Sequence, residues 1–520
     1  MANRSTDALF QLVKSLEKSE KRNFKLYVKR NTATDDLKII QLFDALDKMT
    51  DYDEKLLLKK AKGISKQQLS NIKAHLYKQL LSSLRLIKEE DNIDIRLHEQ
   101  MDFARILYNK GLYLQSLKVL ERLKETAKAY QQLTFLQQAL FFEKKIETLF
   151  ITRSMQDRAD KLAEESDEVN TQLSLVNKLS NLSLQLYSWY IKNGHARNEK
   201  DIKNIQAFYD KHFPKDANTA TGFYEQLYLY QSNVWYAFIK QDFLHYYRYS
   251  QKWVDLFSTY PGLLKVETAN YIKGMHNLMG ADFNLMNQEK LAERIKQFEQ
   301  FTKQKHLEEN ENNRILAYQY LYTARINLYF LQGTFTKGLR LVPFLEDMLK
   351  EYHLYLDTHR VLVFYYKIAC LYFGSGNNEK AIDYLNRIIN QKGDLRTDLQ
   401  CYARLLHLIA HYELGNFDLL EYLIKSVYRY MARMESLSKV EEQMFSFLRR
   451  SFHVGAHALK PEFEKLLAQL RKYEGNPLES RAFVYLDVIS WLESKISGVN
   501  VQDVIREKFL LGKRGRAGSR

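Results

Sequence analysis

Few side chains in this 520-residue sequence stand at spacings that support chemistry, and the clearest are two histidine pairs. His407 with His411, and His453 with His457, lie four residues apart, a helical spacing at which two imidazoles can share a metal ion. Neither pair encloses the glutamate of a zinc hydrolase or has a cysteine at ligand spacing, so both read as core or surface histidines. Cys370 and Cys401, the only cysteines, sit in apolar stretches and read as small reduced core residues. No phosphate-binding glycine loop, nucleophile elbow, kinase signature or cysteine cluster occurs. The sequence therefore points to no catalytic residue, metal or cofactor, and the expectation is a protein that is not an enzyme.

Cationic groups offer a second chemistry. The net charge is +15, and its distribution is uneven. Residues 1–90 hold 19 Lys and Arg against 12 Asp and Glu, and residues 505–520 hold six against one, leaving only +3 for the 414 residues between. Lys18, Arg22, Lys25 and Lys29 recur every three or four residues and so form one helical stripe, able to neutralise phosphates or meet an acidic partner. Glu17 and Glu20 dilute its field. Between Gly63 and Leu86, Ser65-Lys66-Gln67-Gln68 followed by Asn71, Lys73, His75 and Lys78 can present a polar helix to a nucleic-acid groove, while Leu69, Ile72, Leu76 and Leu80 face inward. Lys513, Arg514 and Arg516, with Arg520, form a basic end lacking an aromatic ring for base stacking.

These groups must be positioned by helices. Five prolines and 19 glycines are few punctuators for such a length, and a 45% hydrophobic content with 35 Tyr and 29 Phe is ample for a core, so long helices are expected. The longest uncharged runs, residues 129–142 and 227–239, are too short to span a bilayer. The first 22 residues contain no apolar signal region, so a cytoplasmic location is expected.

Helical stretches break at Gly111, Gly333, Gly376 and Gly415 and then restart. In the best unit Tyr365, Ile368, Ala369 and Tyr372 fall at helical spacing, Gly376-Asn377-Asn378 makes the turn, and Ala381, Ile382 and Leu385 line the next helix. This resembles the tetratricopeptide repeat, in which a small residue lets two helices approach and larger groups fill the groove between them. Less complete versions run through Ala104, Leu107, Tyr113, Ser116 and Leu120, through Tyr322, Ile326, Tyr329, Phe335 and Gly338, and through Leu408, Phe417 and Leu420. With further turns near Arg153, Gly194, Gln241, Asn287 and Leu459, the breaks recur every 39 to 47 residues, longer than the family's repeat of about 34.

The resemblance implies an all-α chain, an α-solenoid of about nine stacked helix hairpins, with the first helix of each hairpin lining a concave groove. It places Arg105, Tyr108, Asn109, Asn327, Phe330, Tyr366, Phe373, Tyr402 and Tyr412 on that groove. Of the family's carboxylate-clamping positions only Asn327 is matched, so capture of a chaperone's acidic C-terminus is not implied. The expected organisation is a basic N-terminal helical domain or cap (1–90), the repeats (91–475), closing helices (476–511) and a basic disordered tail (512–520). Within residues 1–90, helices are expected at Ser5–Leu16, from Ser19-Glu20 to Arg30, at Asp36–Lys48, Glu54–Lys62 and Lys66–Leu86. The expected function is a non-catalytic scaffold binding a protein or peptide along the groove. The alternative is a nucleic-acid or ribonucleoprotein-associated factor using the basic ends.

Overall fold

The computed structural model describes residues 7–30, 36–61, 63–87, 92–149, 157–308, 310–352, 356–391, 397–433, 438–451, 459–474 and 487–517. These residues form helices joined by turns, with no β-strand among them, and none of the described helices is long and apolar enough to cross a membrane. The chain divides into two compact units, residues 1–169 and 170–520.

The first unit opens with five helices, α1 (Ala8–Ser15), α2 (Lys18–Arg30), α3 (Asp36–Asp47), α4 (Glu54–Lys60) and α5 (Lys66–Ile87). Their shared core includes Phe24, Phe43, Leu46, Leu57 and Leu76. Capping chemistry fixes where they begin. Asp7 accepts hydrogen bonds from the Leu9 and Phe10 amides, so α1 starts at Ala8 and not at Ser5. Glu20 reaches back to the Glu17 amide at 2.9 Å, and Ser65 and Gln68 bond reciprocally at the head of α5.

Helices α6 (Ile93–Asn109), α7 (Tyr113–Ala129) and α8 (Leu133–Glu147) follow, and then the long α9 (Arg158–Asn193), within which the division between units falls. A turn absent from the sequence reading separates α7 from α8, because Gln131 adopts φ +55° without being glycine. Behind it lies a buried ion cluster. Lys124 lies 2.8 Å from Glu143 and 3.1 Å from Glu165, and Arg158 pairs with Glu143. The turn expected near Arg153 lies outside the described residues.

In the second unit helices pack largely in chain order. After α10 (Glu199–His212), α11 (Phe223–Lys240) packs on α12 (Phe243–Thr259), which packs on α13 (Thr268–Asn284). Next, α13 and α14 (Gln288–Thr302) both pack on α15 (Glu311–Gln332). After α16 (Val342–Glu351), α17 (Thr358–Gly374) packs on α18 (Asn378–Ile389), and that helix on α19 (Thr397–Glu413). The series ends with α20 (Phe417–Arg433), α21 (Lys439–Ser451), α22 (Leu459–Arg471), α23 (Val488–Ser497) and α24 (Val501–Ala517). Residues 475–486, expected to begin a closing helix at Ser480, lie outside the described residues, and α24 runs on past the expected end at Leu511.

The last helix does not simply follow its predecessor. It returns to pack on α15, and Thr336 Oγ1 donates to Gln502 Oε1 at 2.9 Å. Gly333 permits this contact: its φ is +59°, and a Cβ there would stand 2.4 Å from the Arg506 nitrogen and 2.6 Å from the Gln502 carbonyl oxygen. Elsewhere in the unit Asp282 is fully buried with neither carboxylate oxygen hydrogen-bonded, and burial pushes its pKa up to about 6.

Two outcomes follow from these positions. Gly333→Ala should destabilise the chain by about 2–4 kcal/mol and strip hydrogen-exchange protection from residues 501–510. In a chain truncated before residue 501 the same substitution should cost only about 1 kcal/mol. Asp282 binds a proton more tightly folded than unfolded, so its contribution to stability is greatest below about pH 4 and is lost as pH rises through about 6. Asp282→Asn should therefore gain about 1–3 kcal/mol at pH 7 and nothing below pH 4, read by urea unfolding across that range.

Candidate functional site

In the second unit three neighbouring helices, α13, α15 and α17, bring together polar side chains that are far apart in sequence. His276 of α13 stacks on Tyr320 of α15, with ring centroids 3.8 Å apart. Arg360 of α17 donates to Gln319 Oε1 at 2.9 Å and lies 3.3 Å from Asp357. One register further along, the Lys367 ammonium donates to Asn327 Oδ1 and sits over two aromatic rings, 5.5 Å from the Phe330 centroid and 6.0 Å from that of Phe283. Three helices thus surround one set of cations.

Lys273 of α13 is solvent-exposed, yet the surrounding protein, and after it Arg360, hold its pKa below the usual lysine range. Burial lowers Lys367 to about 8, and burial with the Lys367 and Arg360 charges lowers His276 to about 3. His276 is therefore neutral at physiological pH. Neither Lys273 nor Lys367 has a carboxylate partner among the described residues; Glu267, the nearby acid, already accepts from Tyr224 at 2.6 Å and Asn270 at 2.7 Å. The site holds cations whose counter-charge is not supplied by neighbouring side chains.

Of the nine groove residues expected from the repeat resemblance, the structure places only Asn327 and Phe330 here. Asn327 is buried under Lys367, and Phe330 is half-buried. Tyr366, Phe373 and Tyr412 are buried in the core and present no surface, while Tyr402 is half-buried against the same core. The physical reason is that α17 and α19 are covered along more than one side, so an aromatic next to the outward position turns into a neighbouring helix. Arg105, Tyr108 and Asn109 lie in the first unit. With Met101, Gln138, Phe141, Phe142 and Lys145 they line a separate open groove of about 500 Å³, where Tyr108 packs 5.4 Å from Phe142 and beneath the Lys145 ammonium.

Sequence reasoning missed Lys273, His276, Arg360 and Lys367. One signal was present: Lys367 is the only charge in the run from Val361 to Phe373. A lone lysine in so apolar a helix must find either an acid or an opening.

The other candidates fall elsewhere. On α2, Lys18, Arg22, Lys25 and Lys29 line one shallow depression together with Lys21 and Leu26. Two of its cations are compensated, Lys25 by Asp44 at 2.6 Å and Lys21 by Asp47 at 2.7 Å. Lys73, expected on the outward face of α5, turns inward to Asp7 and Tyr52. His407 and His411 are buried with their Nε2 atoms 3.3 Å apart, and burial lowers both pKa values, His407 to about 4. Among the described residues no group of three or more His, Cys, Asp or Glu side chains could hold a metal ion. Cys370 and Cys401 are buried and form no disulfide. His453, His457 and the side chains of Lys513, Arg514 and Arg516 lie outside the described residues.

No family model matches the chain, and no curated protein or solved structure matches it either.

Lys367 supplies a direct test of this burial. Its folded pKa lies below the ordinary lysine value of 10.5, so the folded chain binds this proton less tightly than the unfolded chain does. The charged lysine therefore costs stability below about pH 8, and the cost fades as pH rises toward 10.5. Lys367→Met should be more stable than the parent by about 1–3 kcal/mol at pH 7, with the gain vanishing near pH 10.5. Urea unfolding across pH 6–10.5 measures this, and a pH-independent difference would show that the ammonium is not strained.

Proposed function

We propose that this chain is a non-catalytic interaction scaffold acting in the cytoplasm, a tetratricopeptide-like α-solenoid of about nine stacked helix hairpins with a helical N-terminal domain. Its partner is a protein segment that carries carboxylates into the recess of the second unit. The observation that supports this most is that Lys273 and Lys367, which lie with Arg360 on helices that pack against α15, have no acidic partner among the described residues.

An unpaired buried charge is destabilising, and a binding partner that brings the opposite charge removes the penalty at the moment of association. The geometry suits an extended segment better than a single small anion. Arg360 and Lys367 are seven residues apart on one helix, about 10 Å at the rise of an α-helix, so one phosphate cannot bridge them whereas carboxylates two or three residues apart in an extended peptide can. Aromatic faces in the recess are already taken. His276 covers Tyr320 and Lys367 covers Phe330, which leaves those rings to shape the wall and not to stack on bases.

Selection of peptides from a random displayed library against the intact chain tests the reading. Enriched sequences should carry paired Asp or Glu with adjacent apolar residues. Arg360→Gln and Lys367→Gln should each weaken a selected peptide by about 1 kcal/mol, roughly fivefold, and the double variant by more than tenfold. Acidic peptides that bind the double variant as tightly as the parent would reject the recess as the site.

A further inference from the structure

A second surface, on the first unit, points to a different partner. Helices α4 and α5 are joined by a short turn in which Gly63 takes φ +98° and is exposed, while Ala61 and Ile64 on either side of it are buried. Leu57 and Ala61 at the end of α4, Ile64 in the turn and Leu69 in the first turn of α5 all enter one core with Phe24 and Phe43. Helix α3 packs on both α4 and α5. Two helices joined through a glycine turn and braced by a third share the connectivity of a helix-turn-helix, whose second helix enters the DNA major groove.

The outward face of α5 has the chemistry for that role. Its 22 residues contain no Asp or Glu. Gln67, Ser70, Asn71, Ala74 and Lys78 are all exposed and fall on one stripe, at helical spacing. Amide side chains read base edges, and the small Ser70 and Ala74 between them let the helix axis approach the bases closely. Exposed cations flank the stripe: Lys66 at the start of α5, and Lys55, Lys59 and Lys60 on α4. None of Lys55, Lys59, Lys66, Gln67, Asn71 or Lys78 has a side-chain partner among the described residues. Of the acidic residues of this region, Asp51, Asp53 and Glu54 precede α4 or open its first turn, and Asp7 is engaged by Lys73 of α5. Tyr77 and Leu81 are also exposed on this face, beside Ser70 and Ala74, and a lone ring offers no series of faces on which successive bases of a single strand could stack.

We propose that α4, its glycine turn and α5 form a duplex-DNA-binding element, with Gln67 and Asn71 against base edges in the major groove and Lys55, Lys59, Lys66 and Lys78 on phosphates. This is independent of the acidic-peptide recess in the second unit.

The test uses the full chain and fluorescence anisotropy with a labelled duplex of about 24 base pairs, the matching single strand and the matching RNA duplex. Duplex DNA should bind most tightly, and four phosphate contacts predict a loss of about a hundredfold in affinity between 50 and 200 mM salt. Lys66→Ala with Lys78→Ala should weaken all DNA duplexes about equally and reduce the salt dependence. Enrichment of binding sites from random duplexes should give a sequence preference for the parent that Gln67→Ala with Asn71→Ala flattens. All four positions are exposed, so circular dichroism should show unchanged helicity. Failure to bind duplex DNA at 50 mM salt, preference for the single strand or for RNA, or binding unaffected by the α5 substitutions would overturn the proposal. The last outcome would move the contact to α2 or to the basic C-terminal end.

Discussion

In the second unit the controlling constraint is that a helix buried by neighbours on more than one side has almost no room for an ionisable group. Helix α17 illustrates it: Leu362, Phe364, Tyr366, Ile368, Ala369, Cys370, Leu371 and Phe373 are all buried, so about half of the helix offers no position from which a charge could reach water. Where a cation occurs on such a helix it is forced into whatever concavity remains. Lys367 is that cation, and the burial of its helix is what lowers its pKa, draws its ammonium onto Asn327 and sets it against Phe330. The environment of Lys367 is thus a consequence of dense helix packing.

That constraint also explains what could be read from the sequence. Turns at Gly111, Gly333, Gly376 and Gly415 were legible because each takes a positive φ, which glycine adopts without strain. Gln241 and Met286 take the same conformation, and the turns near Gln241 and Asn287 are legible only from the amphipathic runs on either side, while the turn at Gln131 lies in an uncharged run that gives no such sign. Helical periodicity says which residues share a face. It does not say how many faces are buried, and so Tyr366 and Phe373 were assigned to the groove although their helix is covered on that side too. His276 and Tyr320 could not be paired from sequence, since their contact depends on how α13 and α15 cross.

Comparison of the three cationic surfaces separates structural charge from available charge. On α2 the stripe that stands out in the sequence is partly spent: Asp44 and Asp47 near the end of α3 neutralise Lys25 and Lys21, and the pairs tie two helices of one core together. Such pairs contribute little, because exposed ions are well solvated before they meet. On α5 Lys73 pairs with Asp7 and Arg85 with Asp102, while Lys66 and Lys78 beside the exposed polar stripe have no acidic partner among the described residues. In the second unit Lys273 and Lys367 are crowded by protein, and Arg360 repels Lys273. The densest run of lysines is therefore the least informative of the three, since what matters is the charge that the fold leaves uncompensated.

Uncompensated burial alone does not mark a site, and the contrast between Asp282 and Lys367 shows why. Both ionisable groups are disfavoured by their surroundings, and both pKa values move toward the neutral form. Asp282 has no exposed surface, so no partner can reach it, and its neutral form is the fold's own answer to desolvation. Lys367 keeps contact with solvent and stands beside Arg360 and an exposed Lys273, so an incoming carboxylate can satisfy it without unfolding anything. The difference lies in access, which is why the same electrostatic penalty is a packing defect at one position and a basis for recognition at the other.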